Sequence, residues 1–168
     1  SGANYFAFIE GEDIEVLNAV NFSFPKERSQ GLKMPVRYNL VRHPALTVEI
    51  PPSDNGLFWM DGGAVYKAVN SVLPDIIISA VRSAGLNSHQ VRLIIPHQAS
   101  KPMLDGLSER LPSFELYSDL EEGNFSSASI PKAMARALQE GAIGRGDKVV
   151  LAGFGAGLFA SVSVVHLH

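Results

Sequence analysis

Cysteine is wholly absent from this 168-residue chain. That excludes a disulfide scaffold, a cysteine-ligated zinc site and a thiol nucleophile supplied by the chain itself. Uninterrupted apolar runs long enough to cross a bilayer, about 18 to 20 residues, are missing as well. The longest apolar stretches, 148–154 and 158–165, are broken by Gly and Ser and read as strands. Basic residues are not in excess. A net charge of −3 gives no electrostatic reason to expect nucleic acid or an anionic membrane as partner. The first residues carry no basic region followed by an apolar stretch, so no signal peptide is visible and a cytoplasmic protein is expected. The chain opens without Met and reads as strand almost at once, which suggests a piece of a longer protein or a processed subunit.

What remains is an ordinary globular mix, 46% hydrophobic and 18% charged, at a length that fits one domain. Residues 3–10 and 14–24 read as apolar strands, followed by a long Pro-rich connection over 25–52 with a strand at 46–50. From Asp61 the period changes: Val65, Val69, Val72 and Leu73 recur at helical spacing, with Pro74 expected to kink or break the helix. Gly85 sits where an αL C-cap belongs. A short buried strand over 91–96 precedes a helix carrying Met103, Leu104, Leu107 and Leu111. A strand over 114–117 and a polar loop over 118–129 follow. Ser129 is placed as N-cap of the next helix, whose apolar face is Ala133, Met134, Ala137 and Leu138. Strands over 148–152 and 158–167 flank a tight turn at 153–157. The alternation implies an α/β fold: a mixed, mostly parallel five-stranded sheet covered by helices, closed by an antiparallel pair.

In such sheets, ligands bind beyond the carboxyl ends of the strands. Two polar clusters fall there, His97-Gln98-Ala99-Ser100 and the loop from Gly123 to Ser129. A His at a strand end is often structural, and Gly-Asn often only turn chemistry. The Gly-rich Gly153-Phe154-Gly155-Ala156-Gly157 precedes a strand rather than a helix, so the dinucleotide fingerprint fails. His43, His89, His166 and His168 show no metal-ligand spacing, and no metal is expected. No Gly-x-Ser-x-Gly elbow supports a serine hydrolase.

Taken together and in order, the motifs are more specific. Ile95-Pro96-His97-Gln98-Ala99-Ser100 resembles the strand-to-helix signature of the β-ketoacyl-ACP synthase III family. Glu122-Gly123-Asn124-Phe125-Ser126-Ser127-Ala128-Ser129-Ile130-Pro131 is similar to its Gly-Asn loop. Residues 60–67, 143–148 and 153–157 resemble its long helix, closing strand and turn, and residues 1–3 resemble the tail of its crossover motif. The resemblance runs the length of the chain and covers the C-terminal half of a thiolase fold. It implies Claisen condensation of acyl thioesters, with no cofactor beyond acyl-CoA or acyl-carrier-protein substrates. A Cys in an N-terminal half would take the acyl group, while His97 and Asn124 would stabilise the enolate of the second substrate. Ser100, Phe125, Phe154 and Gly155 are the implied substrate-binding positions, with a backbone N–H at the Phe154 turn contributing to an oxyanion hole. The implied partners are that N-terminal half, an acyl-CoA or acyl carrier protein, and a second copy of the complete enzyme.

The chain departs from the family at Glu122, where carrier-protein-dependent enzymes commonly place His. Ser100-Lys101-Pro102 likewise replaces a stretch whose Arg helps dock the carrier. Ser100, with Gly155-Ala156-Gly157-Leu158, is closer to relatives that join two long acyl chains or make specialised metabolites. The other reading is a non-catalytic module that binds acyl-CoA or scaffolds an assembly. In either case the helices over 65–73 and 133–138 are expected to leave apolar faces for a partner to cover.

Overall fold

The computed structural model describes residues 14–23, 32–33, 59–155 and 159–168. The expected strands over 3–10 and 46–50 lie outside them. Four strands form the main sheet: β1 (Ile14–Ser23), β4 (Leu93–Pro96), β5 (Lys148–Gly155) and β6 (Phe159–Leu167), in the order β1-β6-β5-β4. A two-stranded ladder pairs β2 (Leu32–Lys33) with β3 (Trp59–Met60). β4 runs parallel to β5, whereas β5–β6 and β1–β6 are antiparallel. The sheet is therefore mixed, as expected, but among the described residues antiparallel pairing predominates.

The anticipated fifth strand over 114–117 is reduced to one parallel bridge, Ile94 to Leu116. Its hydrogen bonds run from Ile94 N–H to the Glu115 carbonyl and from Tyr117 N–H to the Ile94 carbonyl, both 2.8 Å. The next donor in that ladder would be residue 96. Pro96 has no N–H to give, so the ladder stops there.

Helices cover both faces. On one side lie α1 (Gly62–Ser83) and α2 (Lys101–Arg110), with Val69, Leu73, Ile77 and Leu107 packed on Ile94, Val150, Val162 and Val164. On the other lies α3 (Ser129–Gln139), with Ile130, Ala133 and Ala137 on Leu93, Ile95, Val149 and Leu151. Strands buried on two faces need apolar residues at every position, which explains the unbroken run in β4.

α1 starts at Asp61, whose Oδ1 accepts from Ala64 N–H at 2.9 Å. It continues through Pro74 without the expected break. The carbonyl of Asn70 loses its helical donor there, but fully buried Leu73 and Ile77 on either side hold the helix to the sheet. α1 ends as expected: Gly85 adopts φ +72°, and Leu86 N–H reaches the Val81 carbonyl at 3.1 Å. In length and composition α1 would pass for a membrane-crossing helix, with a mean hydropathy of 1.3. Its apolar face is spent on this core. Val65, Val69 and Leu73 are buried within the chain, so the apolar face expected to await a partner there is already covered. On α3, Ala133, Met134 and Ala137 are likewise buried, and Leu138 is the large apolar side chain left outside. α1 and α2 approach closely at Gly106, where a Cβ would lie 2.6 Å from the Tyr66 hydroxyl.

Candidate functional site

β4 delivers His97 at its carboxyl end. The His97 N–H donates to the Ala152 carbonyl of β5 at 2.8 Å, so the backbone leaves the sheet only after this residue. The imidazole is 8% exposed and meets the Phe154 ring edge-on, with centroids 5.1 Å apart and planes at 81°. Burial pushes its pKa down from 6.5 to about 4. The ring is therefore neutral at ordinary pH, which leaves one nitrogen as a donor and the other as an acceptor. Phe154 and Gly155 belong to β5, where Phe154 pairs with Ala160 and Gly155 with Phe159; the expected turn thus begins later than 153.

Gln98 is the residue that anchors this strand end. It is 1% exposed. Its Nε2 donates to the Pro96 carbonyl at 2.7 Å and to the Tyr117 carbonyl at 3.2 Å, while its Oε1 accepts from Asp119 N–H at 2.7 Å. The side-chain amide thus takes the place of the peptide that Pro96 cannot supply and extends the interrupted ladder by one step. Without it, two buried backbone groups and the part-buried Tyr117 carbonyl would lose these partners.

Asn124 sits in a different setting. It lies on the exposed loop leading into α3. Its Oδ1 accepts from Ser126 N–H at 2.8 Å and lies 3.4 Å from the Ser129 hydroxyl, an Asx turn that holds Ser126 at φ +53°. With the oxygen engaged, the amide NH2 is the end left to donate. Ser129 does not cap α3 as expected. A short 3-10 turn over Ser126–Ala128 leads into the helix, and the buried Ser129 hydroxyl instead accepts from Phe125 N–H at 3.0 Å. Phe125 is 44% exposed, with the Lys132 ammonium 5.2 Å from its ring centroid. Ser100 occupies the N-cap position of α2 without making a side-chain cap bond.

The structure therefore brings His97 to Phe154, and Asn124 to Phe125 and Ser129. Among the described residues no hydrogen bond joins the two groups directly. Asp119 connects them. Its N–H is held by Gln98, and its buried carboxylate pairs with Lys132 at 2.8 Å and Arg136 at 2.7 Å, both on α3. Burial alone would raise the Asp119 pKa; the two cations outweigh it and hold the carboxyl below its usual value. The network continues through Glu121 and Glu140 on Arg136 and through Glu122, 3.5 Å from Lys132. Glu122, at the position where the resembling family commonly has His, is thus an ion-pair partner of α3. Tyr117 donates to Glu140 at 2.6 Å, and burial together with that carboxylate pushes its hydroxyl up to about 12.

Neither Gln98 nor Asp119 stood out in the sequence as an organising residue. A Gln two residues after a strand-ending Pro was the available signal for the first. The second had no local signal, since its cations are 13 and 17 residues away.

Comparison with known proteins identifies the family and the fold. Residues 81–167 match the family model for the C-terminal part of 3-oxoacyl-[acyl-carrier-protein] synthase III. A β-ketoacyl-[acyl-carrier-protein] synthase III of Synechocystis sp. is 40% identical over 109 residues, covering 63% of this chain and 33% of that protein. An acetoacetyl CoA synthase of Streptomyces sp. (strain CL190) is 35% identical over 136 residues, covering 76% and 41%. Among solved structures, the synthase III of Thermus thermophilus superposes with a TM-score of 0.74 at 30% identity, over 92% of this chain and 46% of that one. The chain spans 31 to 41% of the length of the curated relatives it matches. It belongs to the 3-oxoacyl-[acyl-carrier-protein] synthase III family and corresponds to that family's C-terminal part.

Proposed function

We propose that this chain is the enolate-stabilising half of an acyl-thioester condensing enzyme. A Cys in an N-terminal half carries the acyl group, and His97 and Asn124 donate hydrogen bonds to the thioester oxygen of the second substrate. Loss of CO2 or of a proton beside a thioester leaves negative charge on that oxygen. Fixed neutral donors stabilise it without having to reorganise when the charge appears. The observation that carries the reading is the pairing of protonation states. His97 is kept neutral by burial. Asn124 has its oxygen tied back to Ser126 N–H, which turns its amide outward as a donor that never titrates.

The Phe154 ring packs near-perpendicular against His97. Phe125, exposed beside Asn124, and Ser100, exposed at the head of α2, suit contacts with substrate or with the other half. The substrates are CoA or carrier-protein thioesters, in keeping with the two carriers that appear in the names of relatives at 35 to 40% identity. Pro102 stands where the family's carrier-docking Arg is expected, which favours a CoA thioester.

Intact-mass spectrometry of the native preparation, before and after incubation with a panel of acyl-CoAs, tests the proposal. The expected result is one acyl mass gained on the Cys-bearing half, whether that half is joined to this chain or separate from it, and none on the residues of this chain. A preparation containing this chain alone, without any adduct, would contradict it.

A further inference from the structure

We propose that Glu15, His166 and His168 form a binding site for a divalent transition cation of the zinc or copper class. Sequence order hides this cluster, because Glu15 lies about 150 residues before the two histidines. Topology assembles it. β1 pairs antiparallel with β6, and the register sets Glu15 directly opposite His166. His168 follows two residues later, so the strand's period of two places it on the same side of the sheet. One donor atom from each of the three residues lies within 4.8 Å of the other two.

The distances suit a metal better than a hydrogen-bonded triad. Glu15 Oε2 lies 3.4 Å from His168 Nε2 and 3.7 Å from His166 Nδ1, the second beyond hydrogen-bond range. Tetrahedral ligands on bonds of about 2.0–2.1 Å stand roughly 3.3 Å apart, close to both values. The two imidazoles, with centroids 4.3 Å apart and planes tilted by 58°, are arranged side by side rather than stacked flat. Two nitrogens and one carboxylate oxygen are a ligand set that zinc and copper accept, with a fourth position left to water or a further ligand. Glu15 and His168 are exposed and His166 half-buried, so a cation can enter. Lys148 is the opposing feature: it faces His166 from β5 and adds a positive charge beside the site.

The site is separate from the proposed catalytic end. His166 pairs with Lys148 at the start of β5, while His97 bonds to Ala152 further along the same strand. A bound cation would tie β1, the outermost strand on that side among the described residues, to β6, and its role would be to fasten that strand.

Titration of the full chain with Zn2+ and separately with Cu2+, followed by calorimetry, tests this. One cation should bind per chain. His166→Ala and His168→Ala should each weaken binding by more than about tenfold, Glu15→Gln should weaken it less, and His89→Ala should leave it unchanged. On the unaltered protein, electron paramagnetic resonance of bound Cu2+ should show coupling to two imidazole nitrogens, a readout that does not depend on any variant folding. Absence of stoichiometric binding would overturn the proposal. So would spectra lacking two-nitrogen coupling, or full affinity in the His166→Ala/His168→Ala double variant.

Discussion

The His97 strand end and the Asn124 loop, which carry the two proposed donors, are held in place by opposite means. His97 is buried, fixed by a sheet hydrogen bond to Ala152 and seated beside Gln98, which repairs the ladder that Pro96 interrupts. Asn124 is exposed and held by its own loop, through the Ser126 N–H and the Ser129 hydroxyl. At the first, the fold sets the protonation state by excluding water. At the second, a local turn sets which end of an amide faces outward. A titratable donor needs the core, whereas a non-titrating one needs only a turn.

The sharpest way to break that contrast is Gln98→Leu. Two buried backbone groups would lose partners at about 1–3 kcal/mol each, and the part-buried Tyr117 carbonyl would lose a third. The expected loss is several kcal/mol of stability, read by chemical unfolding and accompanied by loss of the strand-end geometry around His97. A loss under about 1 kcal/mol would mean that water replaces the amide and that Gln98 anchors nothing.

Acid titration comes next. The unfolded chain takes up a proton at His97 near its ordinary value of 6.5, but the folded chain only near 4. The His97 contribution is therefore fully present above about pH 6.5, declines as pH falls and levels off below about 4. The full change is on the order of 3 kcal/mol. Unfolding measured across that range, with His97→Gln as reference, isolates it; equal pH slopes for the two proteins would show that the ring is not held neutral.

Asp119→Asn tests the link between the two regions. It keeps the shape but removes the buried anion that Lys132 and Arg136 share. Because both cations are partly in solvent, the expected cost is about 2 kcal/mol, below that of a wholly buried pair. Amide chemical shifts should move at Gln98 as well as on α3; shifts confined to α3 would separate the regions. The smallest effect is expected for Asn124→Ala, about 0.5 kcal/mol in thermal unfolding. A larger loss would make Asn124 a structural residue of the loop.

Much of this arrangement could be read from the sequence. Helical and strand periods located α1, α2, α3 and the strands β1, β4, β5 and β6, because two-sided burial writes continuous apolar runs and one-sided packing writes a stripe. Gly85 showed its cap through the φ it alone tolerates easily. Pairing direction was harder. A short hairpin such as β5–β6 is local, but β1 joins β6 across more than 130 residues, and no local pattern reports that partner. Of the kink or break expected at Pro74, the break does not occur, because packing on both sides of it outweighs one lost hydrogen bond. Ser129 failed as a cap because the 3-10 turn ahead of it claimed its hydroxyl. The placement of His97 at a strand end and of Asn124 in the loop before α3 was legible. Their supports, Gln98 and Asp119, act through contacts that exist only once the chain is folded.

The most direct test of the central claim is a single-turnover assay on the chain assembled with its Cys-bearing half, measuring acyl loading and condensation separately in Asn124→Ala. Asn124 is predicted to act only when the enolate forms. Loading should be unchanged while condensation slows by about 10²–10³-fold, the usual cost of one oxyanion donor. Equal loss of both steps, or no loss of either, would contradict the assignment.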